Sequence, residues 1–511
     1  MNRTCSISLC MITKNEEHCI TRCLRSAKQL VDEIIIVDTG SEDNTVKIAT
    51  EYGARIFPFC WIDDFAAARN YAISKAQGRW ILFLDADECL TPLSRQDLLT
   101  FIETSPAEGY YFRIDSYLDH EGKSVEDYVV RLFKNTPQYR FIGAIHEQIA
   151  GSIQLQNANG GLIFSPFTIA HYGYLQSEMK MKHKFDRNTS LIKKALLENP
   201  HDPFLHYCLS IEYLQNKNFT QAGPLLQKTL TLLHGNEGYV AQVLIALLLV
   251  KLTEPTNPHT EDFFYKAMQT LPNNGDISCL YGVWLMQGKR FWEATEALER
   301  GLLTNRELID HGQLNALLGD AYFLADMAER AIECYTNALY QASGDLYPLM
   351  QILTMPVSGS NPSIWEHLLE RLTPEITTTL YRQTLAADML DLKLATMLLT
   401  IVERTRANDT SSMIIGCSNY LAMLKATTAT APLQAHIYTI LSVSAEELLL
   451  QSQLLQLSPG HSNHIQQTII TSTTKNLLLL SSLIQNSSPT NPLKCWREVF
   501  IGETCFDCQS H

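Results

Sequence analysis

No stretch of this 511-residue chain stays apolar for long. A membrane-crossing helix needs roughly 18 apolar residues, and Val243–Val250 and Leu477–Leu480 fall far short of that. No secretory leader is expected either. Ile7–Ile12 is apolar, but Lys14, Glu16 and Glu17 follow at once, with no small-residue cleavage site. Positive charge is scarce: 40 Lys and Arg stand against 54 Asp and Glu, a net charge of −14. That leaves no basic excess to neutralise phosphates, which argues against a general nucleic-acid binder. A disulfide framework is lacking too. The 13 cysteines are scattered and odd in number, and in so long a chain they read as reduced thiols. Cys505 and Cys508 form one CxxC pair, which alone is read as two ordinary thiols. No glycine-rich basic phosphate loop stands near the N-terminus, which weakens a nucleotidyltransferase reading. The expectation is a cytoplasmic protein. An apolar content of 46% with 18% charged residues allows globular cores.

The residues that organise the rest are Trp80–Glu88, WILFLDADE. Trp80 to Leu84 show no alternation, the pattern of a strand buried on both faces of a mostly parallel sheet. The run then breaks into Asp85, Asp87 and Glu88. Like charges at the end of a buried strand need a compensating cation. Hard oxygens at i and i+2 suit Mg²⁺ or Mn²⁺, and an ion there also holds a diphosphate.

The preceding segments repeat the theme. Ile7–Ile12 reads as a first strand ending in Thr13-Lys14-Asn15-Glu16-Glu17, then a helix to about Leu30. Ile34–Val37 reads as a second strand ending in Asp38-Thr39-Gly40-Ser41-Glu42-Asp43, then a helix over Asn44–Tyr52. Arg55–Phe59 is a third strand, and Ala66–Ala76 a helix carrying Arg69. Strand and helix in tight alternation predict a parallel α/β sheet, with ligands at the strand ends. Asp38 or Asp43 suits a base and ribose. Asp85 and Asp87 suit metal and diphosphate, and Arg69 suits phosphate. Gly40 allows close approach of backbone to a ligand.

MITKNEE (from Met11), VDTGSEDNT (from Val37), DDFAAARN (from Asp63) and FLDADE (from Phe83) come in this order and spacing. Together they resemble the family-two glycosyltransferases with a GT-A fold. The resemblance is nearest to the subgroup that continues into tetratricopeptide (TPR) repeats, the layout of bacteriocin peptide S-glycosyltransferases. It runs from Ser6 to about Tyr174. It implies a nucleotide-sugar site drawing on Thr13, Asn15, Glu16, Asp38, Gly40, Asp43, Arg69 and Asp85, with Asp85 and Asp87 as a DXD metal motif. The family's usual TD appears here as Glu42-Asp43. An inverting transfer needs a base for the acceptor's proton. Glu147, next to His146, is the first candidate, with Asp115 on the strand Gly109–Ser116 as its rival. His146 or His171 completes the metal shell or contacts phosphate.

After the α/β domain at 1–176 the expectation is all-α. A connecting helix (177–200) carries Lys180, Lys182, Lys184 and Arg187, suited to steering an acidic partner or sugar-nucleotide. TPR-like repeats follow over 201–345, and an irregular helical region over 346–511. One unit has Leu209, Ser210, Tyr213, Ala222 and Leu226; another has Tyr281, Gly282, Leu285, Ala294 and Leu298. A third has Leu318, Gly319, Tyr322, Ala331 and Tyr335, and a degenerate unit surrounds Leu248 and Phe264. The spacing is close to the roughly 34 residues of a TPR. Such a solenoid serves acceptor binding or assembly into a homodimer. The expected function is metal-dependent inverting transfer from a UDP- or GDP-sugar to a peptide or protein hydroxyl or thiol. A cell-surface glycan or lipid-linked acceptor is the alternative. The competing class is a TPR adaptor whose first domain does no chemistry.

Overall fold

The computed structural model describes residues 6–105, 107–117, 124–157, 161–172, 178–234, 238–253, 259–341, 345–355, 368–386, 389–428, 431–457 and 462–487. The Cys505–Cys508 pair and the side chains of Lys180 and Lys182 lie outside this description. The described cysteines are free thiols, and no described helix is long and apolar enough to cross a membrane. The chain divides into two compact units, Met1–Asn236 and Glu237–His511.

The first unit opens as β1 (Ile7–Thr13), α1 (Ile20–Ala27), β2 (Glu33–Asp38), α2 (Thr45–Glu51), β3 (Arg55–Pro58), α3 (Phe65–Lys75) and β4 (Trp80–Phe83). β5 (Glu88–Leu90), α4 (Arg95–Thr104), β6 (Gly109–Tyr117), β7 (Ser124–Lys134), α5 (Ala150–Gln156) and β8 (Leu162–His171) complete its α/β part. The sheet runs β3-β2-β1-β4-β7-β6-β8-β5. β3, β2, β1 and β4 pair in parallel, and β7 joins β4 antiparallel. The run of parallel strands therefore ends at β4; beyond it β7–β6 and β8–β5 pair antiparallel and β6–β8 in parallel, so the sheet is mixed.

Two cores explain why the early strands lack alternation. Leu9, Met11, Ile36 and Leu82 face one way, under Leu24 of α1 and Leu98 of α4. Cys10, Ile35, Val37, Ile81 and Phe83 face the other way, under Ala72 and Ile73 of α3 and Ile153 of α5. Every residue of β4 is buried. With helices on both sides, almost every position of β1, β2 and β4 is shut off from water. The register sets Thr13 beside Asp38, so the polar ends of β1 and β2 are level.

The first unit continues into α6 (Glu178–Glu198), α7 (Pro203–Gln215) and α8 (Phe219–Leu232). It therefore takes in the expected connecting helix and the first expected helix pair. Asp202 caps α7, accepting from the amides of Phe204 at 2.9 Å and Leu205 at 3.2 Å.

The second unit holds α9 (Val240–Leu252), α10 (Thr260–Thr270), α11 (Gly275–Gln287), α12 (Phe291–Leu303), α13 (His311–Leu324), α14 (Ala328–Gln341) and α15 (Tyr347–Thr354). Then come α16 (Pro374–Ala386), α17 (Leu390–Arg406), α18 (Thr410–Ala426), α19 (Pro432–Leu457) and α20 (Ser462–Ser487). The expected small residues do bring paired helices together. A Cβ on Gly282 would lie 2.6 Å from Leu298 Cδ2, and one on Gly319 would lie 2.6 Å from Tyr335 Cε1. Gly319→Val should therefore force α13 from α14 and cost about 1–3 kcal/mol. Urea unfolding read by circular dichroism checks this; an unshifted midpoint would show that the contact bears no load.

The turns of the helix pairs share one geometry. Lys217, Lys289 and Asp326 have φ of 58°, 58° and 60°. The next residue's amide reaches back five positions in each: Asn218 to Tyr213, Arg290 to Leu285, Met327 to Tyr322, at 2.8–2.9 Å. The same turn recurs at Asn408 (φ 55°), with Asp409 N donating to Arg404 O at 3.0 Å. Pairing of this kind thus continues past residue 345, into the stretch expected to be irregular.

Candidate functional site

Three strand ends converge, and each carries a polar loop. The β1 and β2 loops are laced together. Asn15 N donates to Ser41 Oγ at 2.9 Å, and Asn15 Oδ1 accepts from Glu42 N at 2.8 Å. Glu16 N donates to Thr45 Oγ1 at 2.7 Å, and Glu17 N to Asp43 Oδ2 at 3.1 Å. Asp38 organises its own turn: Oδ2 accepts from Gly40 N at 3.1 Å and Ser41 N at 3.0 Å, and Oδ1 from Thr13 Oγ1 at 3.3 Å. Gly40 has φ +102° with open space where a Cβ would stand, so backbone conformation is what requires glycine there. Asn15, at φ 57°, is a residue type that tolerates the left-handed region. The slight burial of Asp43 raises its pKa, but hydrogen bonds from Thr45 and the Glu17 amide outweigh it and lower the carboxyl.

The β4 end differs from the sequence expectation. Asp85 is held by two guanidiniums: Arg69 Nη2 lies 3.0 Å from Oδ1, and Arg131 Nη2 lies 3.0 Å from Oδ2. Burial pushes the Asp85 carboxyl up, but Arg69 and then Arg131 overcome that and hold it at about 2. Arg131 also grips Glu88, which is 3% exposed, and Glu88 Oε2 accepts from the Asp85 amide at 3.0 Å. Burial drives Glu88 upward against the pull of Arg131. Arg69 donates through Nε to Glu147 Oε1 and covers the rings of Phe83 and Phe141. One buried network therefore joins Asp85, Arg69 and Glu147, which the sequence reading treated separately. Arg131 and Glu88 were not among its candidate site residues. The available signal for Arg131 was a charge inside the apolar strand VVRLF.

Asp87 turns elsewhere. Its Oδ2 lies 3.3 Å from His171 Nε2, and His171 Nδ1 lies 3.0 Å from Ser116 Oγ. Burial lowers the His171 pKa, but the hydrogen bond to Asp87 and that carboxylate's charge raise it overall. A carboxylate oxygen and an imidazole nitrogen, partly exposed and facing each other, fit two ligands of a divalent cation. The Ser116 contact fixes the ring for that task. Among the described residues no three of His, Cys, Asp or Glu converge as ligands. Both Asp85 oxygens are taken by arginines, and His146 does not join Asp87. His146 sits at φ 54° with Nε2 buried and unpartnered; burial lowers its pKa, and Glu212, Glu147 and Lys184 are its charged neighbours.

The rival bases differ in access. Asp115 binds Arg113 at 3.1 Å through Oδ2, and its Oδ1 is buried without a hydrogen bond. Glu147 has only Oε1 engaged, so Oε2 has no hydrogen-bond partner among the described residues. Burial, with Glu16 and Asp87 nearby, pushes the Cys19 thiol up to about 11, so it is no ready nucleophile.

Comparison with known proteins agrees with this arrangement of loops. Residues 8–156 match the family model "Glycosyl transferase family 2". A TPR repeat-containing protein of Synechococcus elongatus is 37% identical over 203 residues, 39% of this chain and 50% of that protein. The SPbeta prophage-derived glycosyltransferase SunS of Bacillus subtilis is 28% identical over 205 residues, 39% of this chain and 47% of SunS. The chain thus spans about half the length of these curated relatives. S. aureus TarS 1–349, solved with UDP-GlcNAc, is 14% identical with a TM-score of 0.30 over 51% of this chain and 89% of that one. That structural likeness is too slight to carry an argument. The stretch that matches the glycosyl transferase family 2 model, residues 8–156, takes in the ends of β1, β2 and β4 with their polar loops.

Proposed function

We propose that the first unit transfers a glycosyl group from a nucleoside-diphosphate sugar to an acceptor hydroxyl or thiol, with inversion at the anomeric carbon. A peptide or protein is the acceptor of first choice. The observation that carries this reading is the single polar network that ties the β4 end to Glu147 through Arg69.

The β1 and β2 loops bind the nucleoside through Thr13, Asn15, Glu16, Asp38, Gly40 and Asp43. Asp38 shapes its turn, and Asp43 fixes the neighbouring loop. Asp87 and His171 would hold a divalent cation, Mg²⁺ or Mn²⁺, which when bound offsets charge on the departing diphosphate. Asp85 keeps Arg69 and Arg131 in place beside that diphosphate. Glu147 Oε2 takes the proton of the acceptor O–H or S–H. The freed lone pair forms the new bond to the anomeric carbon as its bond to the diphosphate oxygen breaks. The products are the glycosylated acceptor and a nucleoside diphosphate.

The test is Asp87→Ala, assayed by calorimetry with UDP and GDP with and without Mn²⁺, and by donor turnover with a panel of nucleotide-sugars. The expected result is loss of the metal-dependent part of nucleotide binding and a fall in turnover on the order of 10²-fold. Unchanged turnover would remove Asp87 from the site.

A further inference from the structure

α6 was expected to be a connector, but Arg187, Leu191 and Ile192 of this helix stand against Phe65 and Ile145 beside the site. Arg187 is exposed on this helix. Its guanidinium covers the Phe65 ring at 5.2 Å. Phe65 begins α3, one helical turn before Arg69, and its amide donates to Ala144 O at 2.8 Å, just before His146 and Glu147. Arg187 is also held from behind. Its Nε and Nη2 donate to Asn188 Oδ1 at 3.1 and 2.9 Å, and Asn188 Nδ2 donates to the buried Glu212 at 2.7 Å.

No carboxylate pairs directly with this guanidinium among the described residues. Arg69 and Arg131 each hold carboxylates directly, but Arg187 makes no ion pair among the described residues. Glu212, then Glu147 and Glu16, lie within its electrostatic reach, while its stacking on Phe65 sets it beside the start of α3. A planar fork fixed by stacking and by an amide, with no carboxylate bonded to it directly among the described residues, suits two phosphate oxygens.

We infer that Arg187 is a donor-binding residue, supplied by the helix that leaves the α/β domain, which contacts the diphosphate of the nucleotide-sugar. This rests on the transferase reading above. It makes α6 part of the site and gives the first unit a third arginine for phosphate, beyond the two fixed on Asp85.

The experiment compares full-length parent, Arg187→Met and Arg187→Lys. Calorimetry with UDP, GDP, uridine and guanosine is run in Mn²⁺, and thermal melting checks the fold. In Arg187→Met the nucleoside diphosphate is expected to bind about tenfold more weakly or worse, with nucleoside affinity unchanged. Arg187→Lys should recover part of the loss, and donor KM should rise more than kcat falls. Equal loss of nucleoside and nucleoside diphosphate would mean a structural role and would overturn the inference. So would parental diphosphate affinity in Arg187→Met, with the transferase reading left intact. A parent chain that binds neither diphosphate would remove that reading, and this inference with it.

Discussion

Arg131→Met is expected to destabilise the first unit by about 3–5 kcal/mol, the usual cost of leaving a buried charge without its partner. Arg131 is 7% exposed, and its Nη2 serves Glu88 and Asp85 together. Methionine fills much of the same volume, so packing alone predicts a small change. The electrostatic account predicts a large one, because Glu88 would lose the cation that offsets its burial and would have to hold an unpaired charge or take up a proton with almost no water near it. The second substitution decides between them. Arg131→Met with Glu88→Gln removes both members of the pair, and should recover more than half of the lost stability. Urea unfolding of the single and double variants measures both. A single variant within about 0.5 kcal/mol of the parent, the range of ordinary surface changes, would show that the network is not the strut described. Donor turnover should fall in both variants, because Asp85 loses one of the two groups that orient it.

The same residues show what the sequence could disclose. Three of the four parallel strands were legible because burial on both faces leaves a mark, the unbroken apolar runs of β1, β2 and β4. The acidic ends were legible as well. Which acid meets which partner was not. Asp85 and Asp87 are two residues apart, yet one binds arginines from α3 and β7 and the other a histidine from β8. Spacing along a chain cannot encode those partners, because they arrive from segments 16 to 84 residues away. The helical repeats behave likewise. Gly282 and Gly319 announce their pairs because a missing side chain on one helix admits a large one on the next. At α17 and α18 the sizes are exchanged: Ile401 is the large member, and a Cβ on Gly416 would lie 3.3 Å from its Cγ1. The packing problem is solved equally well, but a search for small residues on the first helix passes over it.

Ending the chain after residue 176, where the α/β pattern stops, should leave a first unit that does not unfold cooperatively; ending it after Asn236 should leave one that does. The reason is the cluster under α6 and α7. Ile145, one residue before His146, is buried with Leu191 and Ile192 of α6 and Leu205, Cys208 and Leu209 of α7, and Trp61 and Phe65 pack against them. Ile192 is fully buried. Baring a leucine or isoleucine of this kind costs about 1.5–3 kcal/mol, and a domain's whole stability is only about 5–15 kcal/mol. Losing the α6 and α7 faces at once should therefore exceed what the α/β part can bear. The damage should be greatest at the 144–147 loop, which carries the left-handed His146 and the Glu147 that Arg69 grips. Backbone strain at His146 persists only while neighbours enforce it, and those neighbours are largely helical. Hydrogen exchange on the two truncated chains, read against the full chain, checks this directly. The longer fragment should protect the α3 amides as the parent does, and the shorter one should not. Equal protection in both fragments would mean that the α/β part stands without its helices, and that α6 only happens to lie beside the site.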